Sequence, residues 1–331
     1  MPGSLGARVR LGVITNPTAL HNHRFPFTHG RLLREIESAA DAVATADRSQ
    51  IDGAVRQLLL ERDINVLALN GGDGTIHSAI NSIAGLLAED PGLDGGRLPR
   101  LLLLNGGTYN MASRAMGTKG DPVSTVTRFL RRYRGEPLSA VRTREVPLLE
   151  VRRPGLPPML GMIFGSQVVA NALELCDRMG SGYLGLARLL WKGVAGHLLG
   201  TPFYRENAWR LRPDDCRAWA DGVPHEDVTA IVAATVDMKL ARGLVWALTT
   251  TGGARGFHMK IVRSKSSSEL VRLLPHLLWE LPHPMILSVP EGHHVKTSGS
   301  FTVDGELYDH AGAVDIALSP WRFDVVSGDG L

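Results

Sequence analysis

Three short segments of this chain carry residues that could do chemistry together. The first is Gly71-Gly-Asp-Gly-Thr75, which ends the apolar run Val66 to Leu69 and opens an amphipathic stretch. A buried strand feeding a helix through a loop almost bare of side chains lets backbone N–H groups approach a phosphate, and the helix N-terminus adds partial positive charge. Asp73 could hold Mg²⁺ or orient a phosphate-bound water, and the Thr75 hydroxyl is expected at the helix cap. Two glycines alone would mean only a tight β–α turn. With an aspartate and a threonine among them the loop points to nucleotide phosphates. The second segment, Asn105-Gly-Gly-Thr-Tyr-Asn110, follows Leu101 to Leu104 and repeats the logic, with Thr108 and Asn110 offering hydrogen bonds beside Gly107. The third, Asp304-Gly-Glu306, ends an alternating run from Phe301. Alone it reads as a type I′ hairpin turn, which Asp-Gly favours. In company with the two loops, a carboxylate there could take the proton of an alcohol during phosphoryl transfer.

The elements that must position these loops are legible from periodicity. Val9 to Ile14 reads as a strand stopped by Asn16-Pro17-Thr18, His29 to Ala39 as a helix, and Asp41 to Thr45 as a short strand. Ser49 to Glu61 reads as a helix with Ser49 as N-cap, and Val66 to Leu69 as a strand with its helix over Thr75 to Leu87. Asp90 to Arg100 is loop, Leu101 to Leu104 a strand, and Met111 to Met116 a helix start. Alternating strands and helices predict an α/β, doubly wound nucleotide-binding domain over residues 1–142. Ligands of such sheets sit at the carboxyl ends of the strands, where all the loops just named fall.

Beyond about residue 140 the texture changes. Val146 to Val151, Pro158 to Phe164, Ala208 to Leu211, Val228 to Val236, Leu244 to Thr250 and His258 to Arg263 are β-like. So are Met285 to Val289, Val295 to Thr297, Ser300 to Val303 and Ala313 to Leu318. Helical patterns are confined to Asn171 to Met179, Gly185 to His197 and Ser267 to Leu281. This predicts a C-terminal antiparallel β-sandwich-like domain over 143–312, with residues from about 313 to 331 packing back on the first domain.

The 331 residues carry a formal charge of +3, with 44% hydrophobic and 21% charged residues. That composition suits two soluble cores and no strong basic field, so no nucleic-acid partner is expected. Arg128/Arg131/Arg132/Arg134 and Arg142/Arg144/Arg152/Arg153 read as solvated faces, or as contacts for anionic lipid headgroups or nucleotide phosphates. Cys176 and Cys216 lack metal-ligand spacing and fit a reducing compartment. Neither an apolar leader segment nor a membrane-spanning run is read, so a cytoplasmic location with peripheral membrane association is expected. His293-His294 is a poor metal pair, because neighbours in a strand point to opposite faces. His21 and His23, after the Asn16-Pro17 turn, read as solvated. The stretch Met179 to Leu199 is apolar and glycine-punctuated, a core helix, an acyl-chain lid, or a surface that dips into a bilayer with Trp191 and Lys192 as anchors.

Taken together, Asn16-Pro17, Gly71-Gly-Asp-Gly-Thr75, Gly107-Thr-Tyr-Asn110 with Ala112, and Asp304-Gly-Glu306 occur in the order seen in the diacylglycerol kinase catalytic-domain family, across nearly the whole chain. That family includes bacterial soluble lipid kinases and the sphingosine and ceramide kinases, and this chain resembles a divergent member. The resemblance implies ATP and Mg²⁺ as cofactors and a membrane lipid as substrate. It implies nucleotide contacts from Asn16, Pro17, Thr18, Thr45, Gly71, Gly72, Gly74, Thr75, Gly107, Thr108 and Asn110, with Asp73 organising the metal and Glu306, with Asp304 beside it, as proton acceptor. Three positions depart from the family pattern. Met111 stands where a second acidic residue is usual, Arg255 replaces an aspartate of a structural Mg²⁺ site, and Asn-Pro-x-Ser reads Asn16-Pro17-Thr18-Ala19. The expected function is a lipid kinase acting on the primary hydroxyl of diacylglycerol or a ceramide-like lipid. The alternatives are an NAD kinase, which would need an Asn-Glu pair where Asn110-Met111 stands, and a catalytically decayed nucleotide- or lipid-binding regulator. A strand edge in the second domain could pair across a homodimer.

Overall fold

The computed structural model describes residues 7–19, 22–23, 25–37, 40–45, 47, 49–90, 98–180, 182–211, 217–240, 245–248, 256–309 and 312–331. The chain divides into two compact units, Met1–Val146 with Trp321–Leu331, and Pro147–Pro320. Residues 313–320 therefore group with the second unit.

In the first unit, strands β1 (Leu11–Thr15), β2 (Asp41–Ala44), β3 (Val66–Gly71) and β4 (Arg100–Asn105) form a parallel sheet in the order β2-β1-β3-β4. Its helices are α1 (Pro26–Ile36), α2 (Ser49–Arg56), α3 (Asp73–Glu89), the short α4 (Met111–Ala115) and α5 (Pro122–Tyr133). One face of the sheet buries Val13, Ala68 and Leu102 against Leu32 and Ile36 of α1 and Val126 and Phe129 of α5. On the other face a Cβ at Gly12 would lie only 3.2 Å from Ile64 and 3.3 Å from Leu58, so α2 and its continuation pack directly on the backbone. Helices on both faces make the sheet doubly wound, as periodicity predicted. Of the arginines of α5, Arg131 and Arg132 are exposed, whereas Arg128 is half-buried and donates to the Ser124 and Lys119 carbonyls. That helix begins where Asp121 accepts the Ser124 N–H at 3.1 Å and Pro122 takes the first position.

Two caps differ from expectation. The helix after β3 starts at Asp73 with Gly72 as N-cap, so Thr75 lies inside the first turn and is buried. Gly72 is extended (φ −84°, ψ 179°), and with no side chain to carry it turns the chain into the helix one step earlier. Ser49 is the first residue of α2 rather than its cap: the Asp47 carboxylate accepts its N–H at 2.8 Å.

In the second unit, β7 (Ile163–Ser166), β10 (Val228–Ala234), β13 (Phe257–Arg263), β14 (Ile286–Gly292), β16 (Phe301–Val303) and β17 (Glu306–Tyr308) form an antiparallel sheet ordered β14-β13-β10-β7-β16-β17. Facing it are β5 (Thr143–Arg152), β6 (Met159–Gly161), β8 (Ala218–Ala220), β9 (Val223–His225), β15 (His294–Ser298) and the first half of β18 (Ala313–Val326). Between the sheets Leu149, Ala218, Val295 and Ile316 meet Phe164, Ile231, Phe257 and Phe301, the filling of a sandwich. The end of β18 turns from this task, and Val325 pairs in parallel with Leu101 of β4. A small hairpin, β11 (Met238–Leu240) with β12 (Val245–Leu248), completes the strands, and the expected Leu244-to-Thr250 run otherwise lies outside the described residues. The outer face of the six-stranded sheet carries α6 (Val168–Arg178), α7 (Gly182–Leu199), α8 (Pro202–Asn207) and α9 (Ser267–Leu278).

Ala208 to Leu211, expected as a strand, is a 3₁₀ turn. It directly continues α8, and the Arg210 carbonyl accepts the Asn171 side chain at 2.8 Å, which ties it to a helix and not to a sheet. The expected strand Pro158 to Phe164 is split at Met162, whose N–H goes to the Asp304 carboxylate and not to a ladder partner. Among the described residues no helix is long and apolar enough to cross a membrane.

Candidate active site

In the first unit the two glycine loops touch backbone to backbone. A Cβ on Gly107 would stand 2.2 Å from the Gly72 Cα, and one on Gly106 would stand 2.4 Å from Asn70 Oδ1 and 2.8 Å from the Gly71 nitrogen. Only glycine lets the loops approach this closely. Asn110 then fixes the second loop: in a left-handed conformation (φ 51°), its Oδ1 accepts the Gly107 N–H at 2.8 Å and its Nδ2 donates to the Gly107 carbonyl at 3.0 Å. Ser113 donates its hydroxyl to Asn105 Oδ1 at 2.7 Å, closing the loop at its other end.

Asp73 joins the loops, its Oδ1 accepting the Ala112 N–H at 3.2 Å. The residue in the place of the missing second acid, Met111, opens α4, so Asp73 is the carboxylate that meets the second loop. The α3 N-terminus has no side-chain cap among the described residues, and the Thr75 N–H returns to the Gly72 carbonyl at 2.9 Å; the partial positive charge of a helix N-terminus suits an anion.

The end of β1 closes the third side. Asn16 Oδ1 accepts the Thr18 N–H at 2.9 Å and its hydroxyl at 2.7 Å, and Asn16 Nδ2 reaches the Thr75 hydroxyl at 3.4 Å. Pro17 holds that turn, half-buried, with Thr18 exposed. Two residues not anticipated support it. Asn22 donates to the Asn16 carbonyl at 2.7 Å, and Asn70 donates to the Thr15 hydroxyl at 2.9 Å. The Asn70 Oδ1 and the Thr45 hydroxyl, both buried, have no partner among the described residues. Two orphaned polar atoms at the carboxyl ends of adjacent strands are groups a ligand could satisfy, since each left unpaired costs about 1–3 kcal/mol. An asparagine closing an otherwise apolar strand was the sequence signal for Asn70. Gly71, Gly74 and Thr108 lie in the same loops.

Does this set fit ATP and Mg²⁺? The bare backbone cradle, the uncapped helix end and the two orphans fit a nucleotide. Among the described residues no cluster of three metal-ligating side chains exists. Mg²⁺ held through one or two carboxylates and the phosphates needs no such cage, and Asp73 is the carboxylate here that would hold it.

In the second unit, Asp304 (φ 52°) and Gly305 (φ 86°) form the two-residue turn of the β16–β17 hairpin, with Val303 paired to Glu306. Asp304 is buried, and its Oδ1 accepts the N–H groups of both Met162 and Ile163 at 2.9 Å. Its backbone N–H returns to the Ile163 carbonyl at 2.8 Å. Asp304 therefore anchors the turn, and Glu306, half-buried, is the carboxylate the turn presents. Beside it, the carboxyl of Asp177 at the end of α6 is held above the ordinary carboxylate value, first by desolvation and then by the Glu306 charge. Sequence reasoning missed Asp177, because only the packing of α6 on β17 brings the pair together.

The same unit contains an apolar cavity of about 280 Å³ between α6, α7, α8, α9 and the sheet, walled by Val169, Leu175, Leu190, Phe203, Leu274 and Val262 among others. Leu189, Leu190 and Gly193, from the stretch read as a core helix, an acyl-chain lid or a bilayer surface, form one wall of it. His294, by contrast, gives its Nε2 to Asp315 at 2.6 Å, an ordinary surface pair. Arg255 and His21 lie outside the described residues.

The first unit is thus a doubly wound sheet with two touching glycine loops at its strand ends, and the second is a β-sandwich. Residues 10–139 match the family model of the diacylglycerol kinase catalytic domain. A crystal structure of a diacylglycerol kinase from Bacillus anthracis strain Sterne is similar over 96% of both chains, at 13% identity and a TM-score of 0.61. A proposed diacylglycerol kinase from the same strain matches over 96% of both chains at 14% identity and a TM-score of 0.64. At such identities the likeness is one of fold. No curated protein matches.

Proposed function

We propose that this protein is an ATP-dependent lipid kinase that transfers a γ-phosphoryl group to the primary hydroxyl of a two-chain lipid. The observation that carries the reading is the backbone contact of Gly72 with Gly107, which forms a cradle no side chain could share. The positive N-terminal end of α3 and the Thr75 hydroxyl bind and orient phosphate oxygens, and Asp73 would hold the metal. Mg²⁺, when bound, neutralises charge on the phosphates. Transfer forms a bond from the acceptor oxygen to phosphorus and breaks the bond to the β-phosphate bridging oxygen. The acceptor proton passes to Glu306. Asp304 keeps the Glu306 turn in place through Met162 and Ile163.

The apolar cavity in the second unit favours a lipid acceptor over NAD, since it offers an acyl chain almost no polar partners. The NAD kinase alternative is weakened further because Met111 follows Asn110 where that enzyme would need a glutamate. Diacylglycerol and ceramide-like lipids both fit this reading.

The test is label transfer from γ-labelled ATP to mixed micelles holding diacylglycerol, ceramide or sphingosine, with NAD in parallel, for wild type and Asp73→Asn. Product on one lipid, lost in the variant, is expected. Label on NAD alone, or ATP binding with no transfer to any acceptor, refutes the proposal.

A further inference from the structure

Helix α7 is apolar on two opposite sides. Leu189, Leu190 and Gly193 line the cavity. At 100° per residue Leu184, Trp191 and Leu198, spaced by seven, fall on the far side. They are 69%, 73% and 75% exposed, and Leu199 beside them is 78% exposed. Surface helices normally turn one apolar stripe inward and a polar face to water, and a helix apolar all round belongs in an interior. Four large apolar side chains along one outward face therefore call for a cover.

The charges say which. Between Gly182 and Leu199 there is no aspartate or glutamate, and both cations, Arg188 and Lys192, are exposed. Arg188 steadies the start of the helix by donating to the Met179 carbonyl at 2.9 Å, and the Lys192 ammonium lies 5.1 Å from the centre of the Phe203 ring. Of the flanking arginines, Arg178 is paired with Glu174 and Arg205 stands next to Glu206, which leaves Arg188 and Lys192 as the basic groups of this face. A second copy of this chain laid on the same face would set cation against cation, which disfavours a two-fold pair. An anionic bilayer offers acyl carbon for the leucines, an interface for the tryptophan and phosphates for the basic groups.

We propose that the outward face of α7, built by Leu184, Trp191, Leu198 and Leu199 with Arg188 and Lys192, is a docking surface for an anionic membrane. The helix lies in the plane of the interface, and the opposite face of the same helix walls the cavity. Docking thus sets the cavity one helix thickness from the acyl chains, an arrangement that rests on the lipid-acceptor reading above.

The test uses the full chain with phosphatidylcholine vesicles, with and without phosphatidylglycerol, comparing wild type with Trp191→Ala/Leu198→Ser. Wild type is expected to co-sediment with the anionic vesicles and to be released by salt. The double variant should partition about tenfold more weakly or worse, given the apolar area removed. Neither residue lines the cavity, so transfer to a water-soluble short-chain diacylglycerol should be equal in both proteins. A contact measurement avoids reliance on a destabilising change: brominated lipid should quench wild-type tryptophan fluorescence more than that of Trp191→Phe. Vesicle binding equal in wild type and variant, absent from wild type, or indifferent to lipid charge overturns the proposal. So does a wild-type dimer that these substitutions dissociate. Vesicle binding that follows the prediction with no phosphate transfer to any acceptor sustains the docking face and refutes the kinase reading alone.

Discussion

Replacing Gly107 with alanine should damage nucleotide binding through one added methyl group. The new Cβ would stand 2.2 Å from the Gly72 Cα, and 3.0 Å from both the Gly72 nitrogen and Asn110 Oδ1. Carbon atoms rest at about 3.5–4.0 Å, so the loops must separate by ~1.3–1.8 Å. The obstacle is backbone on a rigid strand end, and Gly107 is not in the left-handed region, so space alone forbids the side chain. Overpacking of this kind costs about 1–3 kcal/mol. At about 2 kcal/mol, a unit of 157 residues (146 from Met1–Val146 plus 11 from Trp321–Leu331) should lose roughly 4–8 °C in melting temperature. Displacing a positioning loop by about 1 Å can cost 10²-fold in rate, so the loss in kcat/KM should be of that order. Thermal unfolding by circular dichroism and ATP titration by calorimetry measure the two effects. Gly85→Ala is the control, because nothing lies within 4 Å of its Cβ. It should keep ATP affinity and gain about 0.5–1 kcal/mol of helix stability. Wild-type ATP affinity and an unchanged melting temperature in Gly107→Ala would refute the backbone-cradle argument.

Two further predictions separate the residues of the late hairpin. Asp304→Ala leaves two buried N–H groups without an acceptor and should destabilise the fold by about 2–5 kcal/mol, whereas Asp304→Asn keeps an Oδ1 in place and should recover most of that; urea unfolding reads the difference, and equal losses would show that Oδ1 is not the anchor. Asp177 binds its proton more tightly in the folded chain than its ordinary value of 3.8. Its contribution to stability is therefore full below that value and is lost as pH rises through the raised one. Glu306→Gln removes one of the two causes and should lower the Asp177 value while leaving it above 3.8, since burial remains. Carboxyl-carbon NMR titration would follow it, and an unmoved Asp177 would mean the two carboxyls do not interact.

Much of the first unit was legible because its signals are local. The runs before Gly71 and Asn105 could only be buried strands, and glycines bound to follow them needed no partner to be recognised. The sandwich was legible as short β-like runs with turns between them. Even the hairpin at Asp304-Gly305 followed from the turn preference of two residues. Failures came where a neighbour decides. Ala208 to Leu211 has the composition of a strand, yet it continues a helix and ties its carbonyl to Asn171. Asp304 reads on paper as a possible base, but the free amides of a split strand claim its Oδ1.

The sequence by itself determined which residues could bind phosphate, since that chemistry lives in the backbone and dipole of one strand, loop and helix. Only the tertiary structure decided that Gly72 must be bare for Gly107, that Asp177 feels Glu306, and that α7 has a cavity on one side and solvent on the other. Each depends on which elements pack together, and a residue's own segment carries no record of what will lie across from it.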